Sequence, residues 1–162
     1  MLIRKSYDYD FKANAPFVQA RADLIDVTDR NMVPFKSTGG KLMLWNGASD
    51  PAVPAQGTID YYDNVVAAVG GQAAADGFVR MYLAPGVLHC GGGTGADRTD
   101  AMLPALDAWV TRGTAPSNLS ASRVDATGVA ALSRPLCPYP TYARYNGTGD
   151  MNSGVNFTCT PP

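Results

Sequence analysis

Two short apolar runs, each left through a glycine turn and followed by an amphipathic stretch, constrain this chain more than any other feature. The first is Lys41-Leu42-Met43-Leu44-Trp45, entered through Gly39-Gly40 and left through Asn46-Gly47-Ala48-Ser49-Asp50-Pro51. The second, Phe78-Val79-Arg80-Met81-Tyr82-Leu83, leads into Pro85-Gly86. Short apolar runs bounded by turn residues read as buried strands. Between them, Ile59, Tyr62, Val65, Val66 and Val69 follow three- and four-residue spacing, which predicts a helix over Thr58–Val69, stopped at Gly70-Gly71. A second helix is predicted over Arg98–Arg112, with Met102, Leu103, Leu106, Trp109 and Val110 on one face and Gly113 closing it. Pro104 must then lie in the first turn or kink the helix. Strand, helix, strand, helix in that order predicts an α/β protein with parallel strands.

The ends of the chain are less patterned. Residues 1–35 are mixed, with Tyr7, Tyr9 and Phe11 among charges, and Asp23–Asp29 offers helix and cap residues without a clean period. From Thr114 onward the chain turns to Ser, Pro, Gly and Asn, so residues 116–162 read as an irregular tail. Two of the three cysteines, Cys137 and Cys159, lie there. A tail that buries little surface gains order from a covalent staple. Closing a loop of about 22 residues contributes roughly 3 kcal/mol by chain entropy. Cys90 is left over.

Composition excludes several classes of partner. The net charge of −1 comes with no Lys/Arg run, which argues against nucleic acid. No stretch approaches the roughly 20 apolar residues of a membrane span, and no metal ligand set stands out. Met1–Asp8 lacks the charged-then-apolar layout of a signal peptide. The cysteine pair and the Asn-x-Ser/Thr sequons at Asn118, Asn146 and Asn156 nevertheless favour an oxidising compartment, secreted or periplasmic.

The single histidine, His89, follows the second strand in Pro85-Gly86-Val87-Leu88-His89-Cys90-Gly91-Gly92-Gly93. A lone histidine can be a structural residue hydrogen-bonded in a loop, and Asp50 can be a turn residue before Pro51. Taken together they say more. An imidazole that acts as general base needs a carboxylate to fix its tautomer. Asp50 follows the first strand and His89 the second, 39 residues on, and a parallel sheet brings both strand ends to one edge. A phosphate-cradling reading of Gly91–Gly95 fails, because no Lys-Ser/Thr pair follows.

Longer segments carry a specific resemblance. They are Gly40–Leu44 with Gly47–Pro51, Pro54-Ala55-Gln56, Asp60-Tyr61-Tyr62, Pro85–Gly93 and Gly95-Ala96-Asp97-Arg98. The tail adds Arg134–Pro140, Ala143-Arg144-Tyr145, Gly147–Asp150 and Asn156–Cys159. From about residue 24 to its end, the chain resembles the C-terminal part of the tannase and feruloyl esterase family. That resemblance implies the last two core strands and flanking helices of an α/β-hydrolase fold over 36–115, followed by the disulfide-stapled tail. Residues 1–35 would return from a lid domain absent from this chain. The implied activity is Ser-His-Asp hydrolysis of aromatic carboxylic esters, galloyl, feruloyl or related phenolic esters. His89 would be the general base and acid, and Asp50 its orienter.

The resemblance also implies a disulfide from Cys90 to a cysteine beside the nucleophile, and a structural calcium ion in the lid. Neither that cysteine, the lid nor the nucleophile is in this chain: Ser6, Ser37 and Ser49 lack the elbow glycines. Asn46 and Ala48 stand where the family often has His and Trp beside the acid. Three alternatives follow. The chain is a piece of a longer esterase, inactive alone; or the smaller subunit of a cleaved enzyme; or a stand-alone binding or structural module. The first two require the N-terminal part of the same hydrolase as partner. They predict a strand over Lys41–Trp45 with an unpaired edge and an exposed apolar surface.

Overall fold

The computed structural model describes residues 9–162 other than Thr28; Ser6, Tyr7 and the rest of Met1–Asp8 lie outside the described residues. The apolar runs form strands β1 (Leu42–Gly47) and β2 (Val79–Ala84), which pair in parallel from Leu42 opposite Val79 to Gly47 opposite Ala84. Both faces of this ladder are covered, as parallel strands require. On one face, Leu42 and Leu44 pack with Val79, Met81 and the buried Tyr62 and Val65. On the other, Met43 and Trp45 pack with Tyr82, Ala84 and Val87.

The elements before β1 are α1 (Phe11–Ile25), capped by Asp10 and burying no residue, and the short α2 (Val33–Ser37). The crossover between the strands is α3 (Ala55–Ala68), starting three residues ahead of the predicted Thr58, with the short α4 (Gln72–Ala75) after it. Tyr62 on α3 has its hydroxyl bonded by Gln72 Nε2 at 2.8 Å, while burial pushes its ionisation upward. Then comes α5 (Met102–Arg112), whose Met102 joins the Trp45–Tyr82 face. The predicted start at Arg98 is corrected to Met102. The Arg98 backbone is instead bridged to Ser122, so the chain cannot wind there. Pro104 therefore falls in the first turn, where amides lack helical partners anyway. Gly113, at φ +69°, closes α5.

The tail is more ordered than its composition predicts. It forms two antiparallel ladders: β3 (Leu119–Val124) with β4 (Ala130–Leu136), and β5 (Tyr142–Tyr145) with β6 (Phe157–Thr160). Asp125 makes the β3–β4 turn by accepting the Thr127 hydroxyl and the amides of Thr127 and Val129, which together hold its carboxyl below the usual range. The ladder escapes a sequence reading because its apolar residues are sparse. Ala121, Leu132 and Leu136 are nonetheless buried against Tyr82 and Ala84. Cys137 and Cys159 are joined, with Cα atoms 5.6 Å apart, and fasten β6 to the segment leaving β4. That segment also reaches β2, where the Tyr139 amide donates to the Met81 carbonyl. The other edge of β1 has no strand partner among the described residues.

Candidate active site

The loop after β1 is built by Asp50 itself. Its Oδ1 accepts the amides of Ala52 at 2.8 Å and Val53 at 2.9 Å, a short polar turn of the kind aspartate favours. Oδ2 is then free for another partner. Burial raises the carboxyl's pKa, but the Val53 amide, the His89 ring and the Ala52 amide together reverse this and hold it below the ordinary value. Beneath the turn lies the buried Asn46. Its Nδ2 donates to the carbonyls of Gly47 at 2.9 Å and Val53 at 3.2 Å, and its Oδ1 accepts the Thr58 hydroxyl at 3.0 Å.

The loop after β2 doubles back on itself. Val87 is bridged to Gly93, the Leu88 amide reaches the Gly92 carbonyl at 3.3 Å, and the Thr94 amide reaches Gly86. His89, Cys90 and Gly91 form its tip. A side chain at Gly93 would collide with the Gly86 carbonyl oxygen, so glycine is required there. The two loops meet because Gly47 has no side chain: a Cβ there would stand 2.5 Å from the carbonyls of Val87 and Leu88. The Ser49 amide also donates to the Val87 carbonyl at 3.0 Å.

At this junction the two residues singled out from sequence come together. His89 Nδ1 lies 2.8 Å from Asp50 Oδ2. The carboxylate side chain is 6% exposed and the imidazole 53%, so the acid is covered and the base faces out. A carboxylate can only accept, so Nδ1 carries the proton and the lone pair of neutral His89 sits on Nε2. An imidazole held this way is able to take a proton at Nε2. Ser37 lies in α2 and Ser49 beside Asp50, and among the described residues no serine hydroxyl bonds His89. Ser6 lies outside them.

Cys90 is exposed, unbridged among the described residues, and held at φ +60°. No group of three or more His, Cys, Asp or Glu side chains among the described residues could hold a metal ion. The sequence reading missed two charged side chains that grip the His89 loop. Asp97 Oδ2 accepts the Gly92 amide at 2.8 Å, and Arg123 Nη1 donates to the Thr94 carbonyl at 2.6 Å. A short acidic residue just past a glycine run was a usable signal for the first. Nothing in the sequence pointed to Arg123.

Fold and site define an α/β protein with a carboxylate–imidazole pair at one strand edge. The family model "Tannase and feruloyl esterase" matches residues 3–160, and the chain belongs to that family. It is 42% identical over 167 aligned residues to a mono(2-hydroxyethyl) terephthalate hydrolase of Piscinibacter sakaiensis, covering 99% of this chain and 27% of that protein. A probable feruloyl esterase of Arthroderma benhamiae is 42% identical, over 76% of this chain and 23% of its own. Among solved structures, an esterase from Aspergillus oryzae shares the fold at TM-score 0.84 and 21% identity, covering 98% of this chain and 34% of that one. Feruloyl esterase B from Aspergillus oryzae follows at TM-score 0.75 and 25% identity, over 91% and 32%. The chain thus spans about a quarter of the curated relatives' length.

Proposed function

We propose that this chain supplies the acid and base of a serine carboxylesterase that cleaves aromatic carboxylic esters. Its fold would be the C-terminal portion of an α/β hydrolase. The observation that carries the reading is the Asp50–His89 bond, made by a carboxylate that is covered and a ring that is half exposed. In this scheme His89 Nε2 takes the proton of a serine hydroxyl as its oxygen attacks the ester carbonyl. The imidazolium, stabilised by Asp50, then protonates the departing alkoxide. In the second half-reaction His89 takes a proton from water, which attacks the acyl-enzyme, and returns it to the serine. The aromatic acyl class rests on the relatives, a terephthalate monoester hydrolase and a probable feruloyl esterase.

The serine belongs to the N-terminal part of the same hydrolase, which would also cover β1. Two features of β1 support such a partner. The open edge of β1 lies beside a groove lined by Met32, Leu42, Leu44, Val53, Pro54 and Tyr61. The Trp45 indole N–H is buried with no acceptor among the described residues. Cys90 would be bridged to a cysteine next to the serine. The Cys137–Cys159 disulfide and the fungal relatives support a secreted or periplasmic site of action.

In the complete esterase, His89→Ala is expected to lower turnover of a feruloyl or terephthaloyl ester by about 10⁴-fold or more. Wild-type turnover by that variant overturns the assignment.

A further inference from the structure

We infer that Asp97 and Arg123 are positioning residues for His89, clamping the loop that aims its ring. The inference rests on the esterase reading above. Four consecutive residues, Cys90 (φ +60°), Gly91 (φ +149°), Gly92 (φ +77°) and Gly93 (φ +85°), hold positive φ directly after His89. Such a run has no repeating hydrogen-bond pattern of its own, so it keeps one shape only if its surroundings impose it. Three of the four are glycines, which widens the choice of alternatives further.

The surroundings impose it at two points. Asp97 Oδ2 accepts the Gly92 amide at 2.8 Å, and the Gly92 carbonyl in turn accepts the Leu88 amide at 3.3 Å. Leu88 immediately precedes His89, so the carboxylate fixes both strands of the loop below its tip. On the far side, Arg123 Nη1 bonds the Thr94 carbonyl at 2.6 Å and reaches the Gly93 carbonyl at 3.5 Å. The clamp is itself anchored: Arg98, next to Asp97, exchanges backbone bonds with Ser122, next to Arg123, at 2.8 and 3.0 Å. Thus β3 of the tail holds both gripping residues against the loop. Among the described residues neither side chain hydrogen-bonds Asp50 or His89, so both act through backbone geometry. An exposed ring on a glycine tip depends on such support, because a shift of about 1 Å in a reacting group can cost on the order of 10²-fold in rate.

The test is a set of variants of the complete esterase, assayed on one aromatic ester. Asp97→Ala should lower kcat about 10- to 100-fold with KM nearly unchanged, since the ring is misaimed and the ester-binding surface is not. Asp97→Asn keeps an oxygen that accepts the Gly92 amide and should recover most of kcat. Arg123→Ala should lower kcat by less, with partial recovery in Arg123→Lys. A crystal structure of Asp97→Ala should show the Nδ1–Oδ2 bond broken or shifted. Wild-type kcat in Asp97→Ala overturns the clamp, as does an Asp97→Asn variant as impaired as Asp97→Ala. Should Asp97→Ala fail to fold, Arg123→Ala against Arg123→Lys decides in the same terms. His89→Ala is assayed alongside: if it retains turnover the esterase reading fails, whereas an inactive His89→Ala beside a fully active Asp97→Ala sinks only the clamp.

Discussion

The Asp50 loop and the His89 loop meet at one hydrogen bond but are held in opposite ways. Asp50 organises its own turn: Oδ1 takes two local amides, Oδ2 takes the ring, and the backbone between Gly47 and Val53 needs no positive φ. The His89 loop is a glycine arch fixed from outside by Asp97 and Arg123. One loop is closed by its own carboxylate, and the other also takes a grip from the distant Arg123 of β3. The difference places the carboxylate as the fixed reference and the imidazole as the part that must be aimed.

Substituting Asp to Asn in the two loops sharpens this comparison most. At position 50 the Asn Oδ1 can still accept the Ala52 and Val53 amides, so the turn survives. Its NH2 would then face Nδ1, which flips the ring tautomer and puts the proton on Nε2 where the lone pair is needed. Asp50→Asn is expected to lower kcat on the order of 10⁴-fold at unchanged fold, against the mild effect of Asp97→Asn. Equal effects in kinetic assays of the two variants would erase the distinction. The carboxylate also links the site to acid. Because its folded pKa lies below the ordinary value of 3.8, it adds stability that is complete above that value. This stability is lost as pH falls below it through the folded pKa, so the His89 contact should loosen only in strong acid.

The tail offers the next largest effect. Its ladder carries Arg123 and, through Leu132 and Leu136, packs beneath Tyr82, whose hydroxyl donates to the Ser117 carbonyl and whose burial pushes its pKa to about 12. Replacing Cys137 and Cys159 together by Ser is expected to cost roughly 3 kcal/mol of stability, read from denaturant melts. If the tertiary hold is real, hydrogen exchange should speed up around Leu88–Thr94 well before it does around Ala48–Val53. Uniform acceleration of both loops would break the comparison.

How much of this was legible in the sequence follows the same division. Strands β1 and β2 and helix α3 were readable because apolar periodicity is a local signal, and Asp50 and His89 because strand ends are predictable once the strands are. The four tail strands were not, since their cohesion comes from a few buried residues such as Ala121 and Leu136 meeting a sheet formed far upstream. The start of α5 was misplaced for a related reason: residues 97 and 98 are engaged by the His89 loop and β3, which helical periodicity cannot show. Arg123 stands 34 residues beyond His89, and its spacing carries no trace of the contact. Asn46 was visible only as a departure from the family pattern, and its buried bonds to Gly47, Val53 and Thr58 were not.

That last network gives the smallest expected effect and the finest test of local encoding. Thr58→Val keeps the shape of the side chain but removes the hydroxyl that donates to Asn46 Oδ1 at 3.0 Å. An orphaned buried amide oxygen should cost about 1–2 kcal/mol, less than the disulfide. The two Asn46 Nδ2 bonds and both Asp50 Oδ1 bonds remain, so the Asp50 turn should stay closed and kcat should fall only a few-fold. Thr58→Ser, which restores the donor, should return both quantities to wild type. If Thr58→Val instead lowers kcat as far as Asp97→Ala does, the Asp50 loop leans on distant contacts as heavily as the His89 loop, and the contrast between them disappears.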